Sequence, residues 1–269
     1  MCIPQVATVF KELPCIKVEG GQYRLEPHKV VEEVPVPITV NGRNLATVML
    51  SPVMLEEFVT GFLYTEQIIR EPSEIESIRV VGNRVSVLTD NPFKVIVPRR
   101  TVLSGCGGSS SFLDIKKLPK IESDLKISLG DVRNGVKEVL SSEIHRMTGG
   151  VHVVGLMKVS SLITVSEDIG RHNALDRVIG YGLTHSIDFS QTFIISSGRI
   201  SSEMVRKCLI AKIPIIVSRG ASTTLAIEMA EKTGVAIIGF ARGEKMNIYS
   251  GADRIEGIKS SGSLQGTSL

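Results

Sequence analysis

The feature that most constrains this chain is the alternation in its C-terminal half. Strand-like runs at 151–157 and 161–166 lead into a helix-length segment at 171–182. Strand 192–197, helix 201–211, strand 213–218, helix 223–233 and strand 235–240 then follow in strict turn. Strands separated by helices of this length predict a three-layer α/β domain with a largely parallel sheet, because parallel neighbours need a long crossover. Just upstream, Val132, Val136, Val139, Leu140, Ile144 and Met147 share one helical face, which Gly149-Gly150 is placed to close.

The N-terminal half reads differently. Residues 28–50 form two strands around Asn41-Gly42, both of which tolerate positive φ, so a hairpin is expected. Ser51-Pro52 offers an N-cap and a first-turn proline. Leu55, Phe58, Val59, Phe62 and Leu63 then make one apolar helical stripe. With further strands at 76–81, 84–89 and 93–97, this half is α+β. The run SGCGGSSS at 104–111 is a Gly/Ser-rich loop, expected to be mobile, and 114–130 reads as a linker. The expected organisation is a small α+β domain over 20–103, a Cys-containing loop and linker over 104–130, an α/β domain over 131–254, and a flexible tail over 255–269.

Charge and cysteine content narrow the function. With 31 Lys and Arg against 28 Asp and Glu, the 269-residue chain carries +3, too little to predict a nucleic-acid or membrane partner. No apolar run approaches the ~18 residues a bilayer span requires. The N-terminus also lacks a signal peptide's basic and apolar regions, so a cytoplasmic location is expected. Four cysteines, Cys2, Cys15, Cys106 and Cys208, form no CxxC pair, which argues against a zinc ribbon or disulfide scaffold. Zinc deamination needs H-x-E and P-C-x-x-C, whereas His152 is followed two residues later by Val154. No zinc or other metal site is expected.

Three strand-to-helix or strand-to-turn loops carry unusual polar residues, where open α/β sheets bind ligands. The first, SEDIGRHNALDRVIG, places Asp168, Arg171, His172 and Asn173 at a helix start suited to an anion. An ordinary capped turn is its alternative reading. The second, SSGRISSEMVRKC, offers Ser197, Gly198, Arg199 and Ser201 for a phosphate, without the spacing of a P-loop. The third, GFARGEKMNIYSG, presents Arg242, Gly243 and Lys245, and alone it reads as a solvated hairpin tip. Together the three predict a nucleotide-like ligand. Cys106, flanked by Gly105 and Gly107-Gly108, lacks the apolar company of a structural cysteine and is the candidate reactive thiol. Cys208 reads as core, and Cys2 and Cys15 flank a start expected to be disordered.

These segments, with EEVPVPITVNG, SPVMLEEFVTGFLYTEQII and TGGVHVVGL, resemble the FdhD/NarQ family, accessory sulfurtransferases for formate dehydrogenase. The likeness runs in order from about residue 30 to 254, with EDIGRHNALD its most specific motif. It implies a cytidine-deaminase-like C-terminal domain without zinc, a smaller N-terminal domain, and a homodimer. It also implies a persulfide sulfur carrier that takes sulfur from a cysteine desulfurase. The sulfur would pass to the molybdenum cofactor in its bis(molybdopterin guanine dinucleotide) form, destined for formate dehydrogenase. By resemblance the persulfide cysteine is Cys106, and the cofactor-binding turn is Phe240, Ala241, Arg242, Gly243, Glu244 and Lys245. Two departures stand out: Ser109 replaces the second cysteine many members carry, and Ser222 stands where proline is common. A carrier needs one thiolate, so the role survives while a disulfide-releasing step on this loop does not. A non-covalent cofactor chaperone and a guanine-nucleotide-binding regulator remain alternatives.

Overall fold

The computed structural model describes residues 9–91 and 118–258. Strand 93–97, Cys2, Cys106, Ser109 and most of the 104–130 segment and tail lie outside the described residues. The chain divides into two compact units. The first takes the described residues through Asn91 together with Val139–Gly155 and Thr164–Ile187; the second takes the rest. The first unit also takes in residues of the C-terminal half, because a helix from that half packs with the N-terminal residues.

In the first unit, β1 (Phe10–Glu19) and β2 (Gln22–Val31) pair antiparallel as a separate two-stranded sheet. From Phe10 on, the start expected to be disordered is therefore part of a hairpin, with Cys15 in β1. Gly20 and Gly21 both adopt positive φ, 57° and 83°, matching the turn that continues strand twist through two residues. A second sheet runs β4-β3-β6-β5, built from β3 (Val34–Val40), β4 (Arg43–Leu50), β5 (Ile75–Val81) and β6 (Arg84–Thr89). Asn41 and Gly42 form its expected tight turn. Val36, Ile38 and Val40 of β3 alternate inward with Val85 and Val87 of β6 and share a core with Phe58, Val59 and Leu63. Each fully buried aliphatic or aromatic side chain there contributes about 1.5–3 kcal/mol.

Those three residues lie on α1 (Leu55–Thr65), which starts later than its proline implied. Met54, in the left-handed region, is the residue before the helix, and Ser51 makes no cap: it is fully buried. Helix α1 packs on α4 (Arg171–Thr184) at a backbone-to-backbone contact. A Cβ on Gly61 would lie 1.8 Å from the Asp176 carbonyl oxygen, and one on Gly180 would lie 1.8 Å from that of Glu57. Only glycine permits that approach, and the Thr65 hydroxyl adds a 2.8 Å bond to the Asp176 carboxylate.

The helix expected from 131 is two helices, α2 (Leu129–Val139) and α3 (Glu143–Thr148). Ser142 breaks it, accepting a hydrogen bond from the His145 N–H at 3.0 Å as the cap of α3. Gly149 ends α3 with φ 63°. Beyond it, β7 (His152–Lys158), β8 (Ser161–Asp168), β9 (Phe193–Ser196), β10 (Ile215–Ser218), β11 (Ala236–Arg242) and β12 (Lys245–Ser250) form a sheet ordered β12-β11-β10-β9-β7-β8. Pairs β9–β10 and β10–β11 are parallel and β12 is antiparallel to β11. Helices α5 (Ser202–Ile210) and α6 (Thr224–Thr233) supply the crossovers, so the α/β reading and its parallel centre stand.

Candidate functional site

Parallel pairing brings the carboxyl ends of β9, β10 and β11 to one edge of the second unit. Each strand is apolar and fully buried up to its last residues, then breaks into a polar turn. The turns are stitched together. Ser218 Oγ donates to the Gly198 carbonyl at 2.5 Å and accepts from the Gly220 N–H at 2.8 Å. The Arg219 N–H donates to the Ser196 carbonyl at 3.1 Å, while Ser196 Oγ accepts from the Gly198 N–H. Ile200 exchanges bonds with Ala221 and Thr223, and the Phe240 N–H donates to the Gly220 carbonyl at 2.9 Å. Arg242 Nε reaches the Arg219 carbonyl at 3.2 Å.

Serine suits the two clip positions because its short hydroxyl both donates and accepts. Ser196 and Ser218 are fully buried. Ser201 and Thr223 cap α5 and α6, accepting from the N–H groups of Met204 and Ala226. Ser222 lies just before that second cap. The bonds of Ile200 run to Ala221 and Thr223, so a proline at 222 would disturb neither.

The side chains above this backbone frame are exposed and cationic. Arg199 and Arg219 follow the ends of β9 and β10, Arg242 closes β11, and Lys245 opens β12. Phe240 is 38% exposed and holds φ 51°, a strained value for a bulky residue, at an irregularity in the β11–β12 pairing. Strain of this kind concentrates at functional sites. The Arg242 guanidinium lies 6.0 Å from the Phe240 ring centroid. Gly243 turns the chain with φ 55°, Ala241 points inward, and exposed Glu244 pairs with Arg133. An exposed aromatic face with a guanidinium beside it, on an edge that carries further arginines, can stack a planar base and pair with phosphates. Arg219 was not among the sequence candidates. Its signal was the repeated pattern of an apolar strand closed by serine or glycine and then arginine, visible in IISSGR, IIVSRG and IIGFAR.

The cluster at the start of α4 lies in the first unit and is used otherwise. Asp168 is fully buried. It accepts bonds from Arg177 Nη2 (2.8 Å), Asn173 Nδ2 (2.8 Å) and the N–H groups of Gly170 (2.7 Å) and Ser51 (2.9 Å). Arg177 also donates to the Glu167 and Ser51 carbonyls at 2.6 Å, and Asn173 to that of Met49 at 3.0 Å. Burial pushes the Asp168 carboxyl up and the Arg177 guanidinium down from their ordinary values, with their mutual attraction opposing both shifts. Asp168 and Asn173, candidates for ligand contact, are spent on the chain's own backbone. Arg177 was missed in the sequence because it lies one turn beyond the polar cluster. Arg171 and His172 occupy the first turn of α4, half-buried. Burial also raises the Glu167 carboxyl. Among the described residues no group of three or more His, Cys, Asp or Glu could hold a metal ion.

The FdhD/NarQ family profile matches residues 31–256. The chain belongs to that family. It is 33% identical over 254 residues to the sulfur carrier protein FdhD of Geobacillus kaustophilus, covering 91% of this chain and 97% of that protein. With its counterpart of the same name from Bacillus pumilus it shares 36% identity over 244 residues, or 87% and 93% of the two chains. A crystal structure described as a formate dehydrogenase accessory protein, from Desulfotalea psychrophila, superposes with a TM-score of 0.78 at 28% identity. It covers 92% of this chain and 100% of that one. No helix among the described residues is long and apolar enough to cross a membrane.

Proposed function

We propose that this family member is a sulfur carrier serving formate dehydrogenase. It takes persulfide sulfur from a cysteine desulfurase and delivers it to the molybdenum cofactor in its bis(molybdopterin guanine dinucleotide) form, which is here a substrate. The observation that carries the reading is the frame of three stitched turns at the ends of β9, β10 and β11. Those turns present Arg199, Arg219 and Arg242 at one sheet edge, with Phe240 beside Arg242, a chemistry suited to a guanine and its phosphates. The sulfur-carrier names of its relatives support the same role.

In this mechanism the Cys106 thiolate attacks the outer sulfur of the donor persulfide. The donor S–S bond breaks, the donor cysteine leaves as thiolate, and Cys106 becomes a persulfide with no net oxidation. Persulfide sulfur is formally at zero and metal-bound sulfide at minus two. Delivery to molybdenum therefore consumes two electrons, supplied by a thiol reductant, and returns Cys106 to the thiol. Arg199, Arg219, Arg242 and Lys245 hold phosphates, Phe240 stacks the guanine, and Ser196 and Ser218 keep the turns in register.

Intact-mass spectrometry after incubation with a cysteine desulfurase and cysteine tests the covalent step. The wild type should gain one reducible sulfur, and Cys106→Ala should gain none. GDP binding, measured by calorimetry, tests the recognition step and should be retained by Cys106→Ala. An unmodified wild type that still binds GDP and still supports formate dehydrogenase would instead make the chain a non-covalent cofactor chaperone.

A further inference from the structure

We infer that Arg133, on α2, is a positioning residue of the ligand site, holding the Glu244 carboxylate away from the ligand's phosphates. The inference rests on the reading of the β9, β10 and β11 turns as a phosphate-binding edge. Glu244 is the carboxylate of the β11–β12 turn, and in the chain it stands between two cations of that edge, Arg242 and Lys245. Arg242 pairs with Lys245 across the two strands, so Gly243 and Glu244 form the two-residue loop between them. Gly243, with φ 55°, lets so tight a loop close. A carboxylate on that loop repels an anionic ligand and competes with it for the neighbouring cations.

The structure removes that competitor. Glu244 pairs with Arg133, a cation from outside the frame of turns. Among the described residues, Arg199, Arg219, Arg242 and Lys245 form no ion pair, so all four charges stay available to a ligand. Arg133 is held in place by the rest of α2. The Asp131 carboxylate accepts from the Ser128 N–H at 2.9 Å and from its hydroxyl at 2.6 Å, while Ser128 Oγ accepts from the Asp131 N–H at 3.1 Å. That reciprocal cap fixes the start of the helix. Val132 is fully buried, and Gly135 lies so near β9 that a Cβ there would sit 2.5 Å from Ile195 Cδ1.

The pair itself is exposed, 40% for the Arg133 side chain and 80% for Glu244. Such a pair adds little to folding, because solvent screens it and two long side chains must be ordered to form it. Its effect falls on the ligand instead. At ordinary ionic strength charges act over a Debye length of about 10 Å, so neutralising Glu244 changes the field that phosphates meet at the adjoining residues. The requirement at Arg133 is positive charge rather than a bidentate fork, and lysine meets it. Glu244 then makes no contact of its own with the ligand, although it lies inside the cofactor-binding turn that the family likeness implies.

Calorimetric titration of GDP into the full-length protein provides the test, with Arg133→Met, Arg133→Lys, Glu244→Gln and the double variant Arg133→Met/Glu244→Gln. Arg133→Met should weaken GDP binding about three- to fivefold. Arg133→Lys should stay within about twofold of the wild type, and Glu244→Gln should bind at least as tightly as the wild type. The double variant should recover wild-type affinity, because the carboxylate that Arg133 restrains is gone. The Arg133→Met deficit should shrink as ionic strength rises from about 0.01 M to about 0.3 M. Melting temperatures should match the wild type throughout, which separates this role from a folding defect. Unchanged affinity in Arg133→Met would overturn the inference. So would a double variant as weak as Arg133→Met, since Arg133 would then touch the ligand directly, or a Glu244→Gln that itself loses affinity. Arg242→Ala keeps the two readings apart: if it weakens GDP binding and Arg133→Met does not, the phosphate edge stands and the role of Arg133 falls. A wild type that binds no GDP overturns both.

Discussion

Two polar clusters in this chain follow strands and precede turns or helices, and in the sequence they look alike. In the first unit, Asp168, Asn173 and Arg177 are buried, and their bonds run to one another and to the backbone of Met49, Ser51 and Glu167. In the second, the buried atoms are the serine clips, while the arginines stand above them in solvent. The first arrangement uses its charges to hold backbone; the second uses backbone to hold charges in position. Buried ions must find internal partners or cost several kcal/mol, so the α4 cluster is structural. Exposed guanidinium groups on a fixed frame remain available to a ligand.

The sharpest way to break this contrast is to remove one buried charge. Arg177→Met strands the Asp168 carboxylate and should cost about 3–5 kcal/mol, read by chemical denaturation. Next comes Gly61→Ala in the same unit, whose new methyl meets the Asp176 carbonyl. Overpacking against backbone should cost about 1–3 kcal/mol or more, with α1 and α4 pushed apart. In the second unit, Ser218→Ala loses a clip between two turns and should cost about 1–2 kcal/mol while also weakening GDP binding. If its affinity stayed at the wild-type level, the register of the turns would not matter to the ligand.

Arg242→Ala sharpens the comparison from the other side. Stability should change by no more than about 0.5 kcal/mol, while GDP affinity should fall about tenfold or more with a charge-assisted bond lost. A large stability loss without an affinity change would reverse the roles assigned to the two clusters. The smallest effect is expected from Glu167→Gln. The folded state raises this carboxyl's pKa through burial, so the native protein holds its proton above the pH at which the unfolded chain releases it. Stability is therefore greater in acid and declines as pH rises through the window above the ordinary carboxylate value. Glu167→Gln should flatten that decline, measured as melting temperature against pH.

Much of the element order was legible. The β9-to-β11 alternation and the Asn41-Gly42 turn depend on neighbours a few residues away, and they fall where their local chemistry puts them. The hairpin at Gly20-Gly21 was equally local, and its paired glycines were the signal passed over. The break at Ser142 and the late start of α1 were less legible, because each turns on a bond that the local pattern does not show. Ser142 ends one helix by capping the next, and Ser51 is drawn to Asp168, distant in sequence.

The sequence by itself determined the family, the α/β alternation and the three strand ends that carry arginine, because periodicity and motif are properties of neighbouring residues. Only the tertiary structure decided which polar residues are consumed and which are offered. That choice depends on burial, and burial is set by elements far apart in the chain. Asp168 and Arg242 sit in similar sequence surroundings, yet one is enclosed by β4 and α4 and the other stands at the open end of β11.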